Sequence, residues 1–333
     1  MKVQLLIATE DTDYSNHLSG VLLDKYAKCF EVSTCSSDTC LSEMLSVHRY
    51  DVALLGPELA AGTTLKEVSL PLILWDGMTG AGEQSERYDT VRKYQRVSAI
   101  VEDVLEKYAS TSEKKEFPES RNAHITAVWS PAGGTGKTTV ALAYAAQCVA
   151  NKKQTIYLDL EYFSSVPVYF SNDGKSISEA FGKQGGNLAL LLQSIRKQDN
   201  GSGIFYFCRP NNYDDMNILS SPEVQELVAA ASNGADEVVL DLSAVCDERC
   251  RELLKLADAV LAVMDGSQRC QAKWEQFCCQ HDLFEQIRPK CVWVGNMGAQ
   301  TGNAAERAVT LPYVRSDNPI SVYKSLSAVN FGV

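Results

Sequence analysis

The stretch Ser130-Pro131-Ala132-Gly133-Gly134-Thr135-Gly136-Lys137-Thr138-Thr139 constrains the fold more than any other part of the chain. It follows an apolar run, His124–Trp129, that reads as a buried strand, and it precedes an Ala-rich run, 140–150, with no helix breaker. The order is strand, glycine loop, helix. Backbone N–H groups of such a loop converge on phosphate oxygens only where side chains stay out of the way, and the following helix N-terminus adds a favourable dipole. The residues expected around the phosphates are Gly133, Gly134, Thr135, Gly136, Lys137, Thr138 and Thr139. In such a motif the lysine reaches the β- and γ-phosphates and the next hydroxyl ligates Mg²⁺, which assigns those tasks to Lys137 and Thr138. An ordinary glycine-rich turn has no need of the Gly-Lys-Thr ending.

Later segments supply partners for this loop. Residues 155–161 form a strand candidate ending in Asp159 and Glu161, two residues apart and therefore on one side of the strand. Acids there can hold Mg²⁺ through water or orient an attacking water, so both are catalytic candidates; capping of the next turn is the alternative, for Glu161 more than for Asp159. Residues 237–243 form an apolar strand carrying Asp241, the expected acid of the Mg²⁺ shell. Two further buried strands are expected at 257–264 and 290–296, and the second ends at Asn296, whose amide could meet an adenine edge.

A chain of 333 residues is long enough for two domains. Residues 1–108 alternate strand-like runs (3–8, 30–34, 52–55, 70–75) with helix-like ones (14–27, 40–47, 98–108), which predicts a small doubly wound α/β domain. A glycine-rich turn is expected at 77–82. Residues 109–122 are polar, Pro-containing and aperiodic, and read as a linker to a second domain, 123–333. The net charge of −11, with no dense Lys/Arg block, opposes non-specific nucleic-acid binding. Eleven cysteines at irregular spacing, with no Cys-x-x-Cys pair, suit a reducing cytoplasm. Cys246/Cys250 and Cys278/Cys279 lack a histidine or second pair at zinc-site spacing and read as core or helix-surface residues. No apolar run approaches bilayer length, so no membrane insertion is expected.

The first domain resembles a response-regulator receiver domain of flavodoxin-like fold, with Glu10 and Asp11 at the place of its Mg²⁺-binding acidic pair. A capping pair is the simpler reading of those acids. The third strand ends in Gly56, where that family has a phosphoacceptor aspartate, and Asp51 stands at the strand's start. No acyl phosphate is therefore expected. Residues 123–325 resemble the MinD/ParA group of deviant Walker ATPases, which implies a P-loop NTPase domain with a mostly parallel sheet, ATP or ADP with Mg²⁺, and a nucleotide-dependent homodimer. Leu311-Pro312-Tyr313 matches a Pro-containing turn that the group keeps beside the base, which brings in Pro312. The preceding receiver-like domain narrows the resemblance to the CpaE/TadZ branch, which implies a cytoplasmic assembly factor recruited by Tad (Flp) pilus or secretion machinery to the cell pole or the inner face of the membrane. A ParA-like partition ATPase is the alternative.

One departure bears on activity. The group carries a signature lysine immediately before the glycine pair, reaching across the dimer, and this chain has Ala132 there. Losing one such contact costs ~10²-fold or more in rate, so ATP hydrolysis is expected to be weak at most. The tail, 321–333, has a single lysine and lacks the cationic face of an interfacial helix.

Overall fold

The structure is a computed structural model, and it describes residues 2–27, 29–60, 65–76, 88–111, 123–182, 186–300 and 307–333. These divide into two units, one drawn from 1–117 and 185–194 and the other from 118–184 and 195–333.

In the first unit the apolar runs become β1 (Val3–Ala8), β2 (Phe30–Cys35), β3 (Tyr50–Leu55) and β4 (Val68–Trp75), interleaved with α1 (Thr12–Lys25), α2 (Asp38–Val47) and α3 (Pro57–Ala60). A fifth strand, β5 (Asp89–Arg92), and the helix α4 (Val97–Thr111) follow. All strand pairs are parallel, in the order β2-β1-β3-β4-β5, the layout of a doubly wound sheet. Helices on both faces explain why β1 and β3 read as continuous apolar runs. β5 is a polar edge strand in which only Val91 is buried, so it gives no such run.

The expected linker starts too early. Ala109, Ser110 and Thr111 contain no helix breaker and belong to α4, whereas 112–122 lie outside the described residues, as does the glycine-rich turn 77–82. Asp11 caps α1, accepting from the Tyr14 N–H at 3.0 Å, and pairs with Lys93 Nζ at 2.8 Å; Glu10 is exposed. At Gly56 an added Cβ would stand 2.0 Å from Glu58 Oε1, because the Glu58 carboxylate folds back to accept from Thr9 Oγ1 (2.8 Å) and the Glu10 N–H (2.9 Å).

The second unit begins with β6 (His124–Trp129), α5 (Lys137–Ala150), β7 (Thr155–Leu160) and the short α6 (Val166–Tyr169). Residues 186–194 of the next helix, α7 (Gly186–Ile195), group with the first unit although they stand inside the second stretch of sequence. The chain continues through β8 (Lys197–Gln198), β9 (Phe205–Tyr206), α8 (Tyr213–Asn217), α9 (Ser221–Ala231), β10 (Glu237–Leu242), α10 (Glu248–Leu256) and β11 (Ala259–Met264). It ends with α11 (Gln268–Cys278), α12 (His281–Ile287), β12 (Cys291–Gly295), β13 (Ala308–Thr310) and α13 (Pro319–Leu326).

The sheet order is β13-β12-β11-β6-β10-β7-β9-β8, parallel except for the β8/β9 pair at one edge. Register places Asp241 directly beside Asp159 on one side and Val128 on the other, so β6, β7 and β10 finish at one edge of the sheet. Helix α5 is buried almost all round. Its alanines allow close approach to the sheet, and its outer side is covered by Tyr323, Leu326 and Phe331, the last edge-on to Tyr144 at 5.7 Å. The tail is therefore core rather than a free helix. Among the described residues no helix is long and apolar enough to cross a membrane.

Candidate functional site

The phosphate loop leaves β6 after the buried Trp129 and turns through Gly134 and Gly136, whose φ angles of +80° and +83° lie in the left-handed region. Gly136 has a second reason to lack a side chain: a Cβ there would stand 2.3 Å from Asn296 Nδ2. That amide donates to the Thr135 carbonyl at 2.9 Å, so Asn296, buried at the end of β12, ties the loop to the neighbouring strand. The Gly298 N–H donates to the Leu311 carbonyl and the Leu311 N–H to the Gly295 carbonyl. These bonds bring the exposed Pro312 to the same end of the sheet as Asn296. Gly133 and Gly134 are exposed with open space around them, whereas Ala132 is buried.

Lys137 opens α5 and is buried, with Nζ 3.4 Å from Glu161 Oε1. Asp159 accepts from Ser164 Oγ (2.6 Å) and the Glu161 N–H (2.9 Å). Asp241 Oδ2 accepts from the Tyr157 hydroxyl at 2.8 Å, but its Oδ1 is buried with no hydrogen-bond partner. Asp159, Glu161 and Asp241 each bring a carboxylate oxygen within 4.8 Å of the others. Burial, followed by Glu161's charge, lifts Asp159 to about 6 against the hydrogen bonds from Ser164 and the Glu161 N–H. Asp241 is pushed well above the carboxylate range by burial first and then by Glu161 and Asp159, with the Thr138 hydroxyl pulling it back. Crowded hard-oxygen donors, one of them unpartnered, make an environment that a small divalent cation relieves.

No protein-family model matches the chain, and neither does any curated protein. Among solved structures, a ParA family ATPase from Chlorobium tepidum TLS is similar at a TM-score of 0.51 with 18% identity, over 63% of this chain and 96% of that one. Over that share of its length the chain has the fold of a ParA-family ATPase. The cell division ATPase MinD of Pyrococcus furiosus (TM-score 0.47, 11% identity, 62% and 97% covered) is more distant. So is the cobyrinic acid a,c-diamide synthase of Mycobacterium smegmatis with bound ATP analogue and magnesium (0.47, 15%, 62% and 93%).

On this ParA-type fold the structure gathers Lys137, Thr138, Asp159, Glu161 and Asp241, all named from sequence, into one site. It also shows side chains that sequence reasoning missed. Tyr157 and Ser164 position the two aspartates. Tyr157 shares a strand face with Asp159, a period-2 signal that was readable. Just beyond the site, Asp247 caps α10 and accepts from the Tyr162 hydroxyl at 2.6 Å, while the Arg249 guanidinium pairs with Asp247 at 3.0 Å and lies 4.8 Å from the Tyr162 ring centroid. This clamp joins the loops that follow β7 and β10. Asp247 carried a helix-cap signal, but nothing local marked Tyr162 as its partner.

Proposed function

We propose that the chain is an ATP-binding protein of the MinD/ParA type whose second unit dimerises on binding Mg²⁺ and nucleotide, and that it serves as a CpaE/TadZ-like assembly and localisation factor for a Tad-type pilus or secretion system. The observation that carries the nucleotide reading is the buried Asp241 carboxylate with one unpartnered oxygen, set within 4.8 Å of Asp159 and Glu161 at the mouth of a loop ending in Gly136-Lys137-Thr138. Thr138 and Asp241, with Asp159 and Glu161 near, are the residues that would hold Mg²⁺; when bound, the ion supplies charge neutralisation between phosphate oxygens and these acids.

The chain's own residues do the rest. Gly133, Gly134 and Gly136 leave the loop's N–H groups accessible, and the α5 N-terminus favours an anion. Lys137, held by Glu161 at 3.4 Å, exchanges that carboxylate for a phosphate oxygen, which frees Glu161. Asp159, fixed by Ser164, and Glu161 are then placed to orient water. Buried Ala132 presents no cation to a partner's phosphates, so turnover is slow and nucleotide acts chiefly as a dimer switch.

The pilus role is supported by the receiver-like first unit, in which Gly56 has no carboxylate to phosphorylate and the Glu58 carboxylate fills the space beside it. The ParA fold also admits a partition ATPase, and the net charge of −11 weighs against its DNA-bound form. Titration with ATP and Mg²⁺, followed by sizing in the two nucleotide states, tests the reading. Absence of nucleotide affinity, or a monomer in every state, contradicts it, and salt-sensitive DNA binding with ATP would favour partition.

A further inference from the structure

The Tyr162–Asp247–Arg249 clamp supports a group of exposed apolar side chains that the nucleotide site does not use. Phe163, directly after Tyr162, is 77% exposed, yet its ring is fixed: it stacks on Tyr213 at 4.9 Å with an interplanar angle of 19°. Tyr213 opens α8, which a capping box closes, the Asn212 side chain accepting from the Asp214 and Asp215 N–H groups at 2.7 and 3.2 Å. Arg249 donates to the Met216 carbonyl of the same helix and to the Tyr162 hydroxyl. Ile218, 73% exposed, ends that helix, and the exposed Val245 lines one small cavity with Tyr162 and Met216. Three segments, 161–168, 211–218 and 243–248, thus converge with large apolar side chains open to solvent. Single exposed apolar residues are ordinary on a protein surface, whereas a braced aromatic stack with aliphatic neighbours is what a binding surface presents.

We propose that this face docks a partner segment with an apolar side flanked by Lys or Arg, a basic amphipathic helix. The three segments hold five acids (Glu161, Asp214, Asp215, Asp247 and Glu248) and no lysine or arginine. Two arginines flank them: Arg209 is exposed, whereas Arg249 is engaged with Asp247 at 3.0 Å and its side chain is only 15% exposed. Apolar side chains interleaved with acids are complementary to a basic amphipathic surface. The same pattern opposes a second copy as the occupant. A two-fold contact through this face would set acid against acid, and like charges juxtaposed in an interface disfavour it.

Phe163 and Tyr213 carry most of the affinity in this account, because their stack already restricts both rings and little side-chain freedom is left to lose on binding. The acids set orientation and the rate of encounter, and salt screens that contribution. Phe163, Tyr213, Ile218 and Val245 are no part of the phosphate or cation site, so the proposal stands apart from the nucleotide reading and is tested without nucleotide.

The test uses the full chain and a fluorescein-labelled peptide of about 18 residues, leucine and lysine set at helical spacing so that one side is apolar. A second peptide carries glutamate in place of lysine. Anisotropy at about 0.15 M salt is expected to show saturable binding of the lysine peptide and none of the glutamate peptide. Phe163→Ser combined with Ile218→Ser, both at exposed positions, should leave the thermal midpoint unchanged and weaken the lysine peptide about tenfold. Asp214→Lys combined with Glu248→Lys should also weaken it and flatten its salt dependence. No binding of the lysine peptide, or equal affinity in the parent and the Phe163→Ser/Ile218→Ser chain, overturns the proposal. So does sedimentation in which the nucleotide-free chain self-associates through a contact that this double variant removes, since the occupant is then a second copy.

Discussion

Asp241 concentrates the electrostatic strain of the site. It is fully buried, shares its surroundings with Asp159 and Glu161, and has an oxygen without a partner. Replacing it by Asn removes the charge problem and also the cation ligand. Asp241→Asn is therefore expected to raise the thermal midpoint in chelator by roughly 2–4 °C, for a gain of about 1 kcal/mol, while abolishing the further rise that Mg²⁺ and ATP give the parent chain. Differential scanning of both proteins with and without Mg²⁺ and ATP checks this; a variant that is still stabilised by Mg²⁺ and ATP sinks the metal assignment. At the other end of the same strand, Glu237 is also fully buried but fully served, accepting from His124 Nδ1 (2.9 Å), Thr126 Oγ1 (2.7 Å), Tyr144 (3.1 Å) and Lys153 (2.9 Å). Its bond to His124 raises the imidazole's pKa, so that contribution is complete below the ordinary 6.5 and is lost as pH rises through the raised folded value. Burial pushes Glu237 up, but the bonds from His124, Thr126 and Lys153 outweigh it and lower the carboxyl, so its share is complete above 4.5 and lost as pH falls below. The network stabilises most between those two values. His124 is 39% exposed, so the effect is small: His124→Asn should lessen the decline in thermal midpoint between pH 5.5 and 8.5 by roughly 1–2 °C. An identical decline in both proteins excludes this role.

Among elements, α5 depends on the tail for its outer cover. Phe331 is fully buried against Tyr144, and Gln147 Nε2 donates to the Ser327 and Val329 carbonyls. Phe331→Ala is expected to cost about 3 kcal/mol, seen as a lower urea midpoint with an unchanged m-value. A shift under about 1 kcal/mol would show that the tail merely lies on the surface. The phosphate loop was legible because its signals are local: apolar run, glycines, Lys137 and Thr138 stand in one stretch, and the strands ending near Asp159 and Asp241 are short apolar runs of their own. What stayed hidden depends on distance. Asn296 Nδ2 meets the Thr135 carbonyl across 161 positions, and no spacing rule reaches so far. β9 spans only Phe205–Tyr206 of the apolar run 204–207, with Cys208 bridging Ser176, because an apolar run states burial but not the length of pairing. The grouping of residues 186–194 with the first unit was equally silent, since an apolar helix does not declare its partner.

For the whole molecule, the proposal joins a receiver-like unit without a phosphoacceptor to a nucleotide-binding unit of ParA fold. Incubation with acetyl phosphate should leave no label on the chain, because Gly56 offers no carboxylate; stable labelling of the first unit would contradict its role as an unswitched module. The central claim is that one Mg²⁺–nucleotide site, built on Lys137 and Asp241, governs the chain's association. Calorimetric titration of the reduced full chain with ATP and Mg²⁺ tests it most directly, with Lys137→Ala alongside. Saturable binding that weakens about 100-fold or more in the variant is the predicted result, as expected for loss of a charge-assisted phosphate contact. Equal affinity in both proteins, or no binding by either, would contradict it.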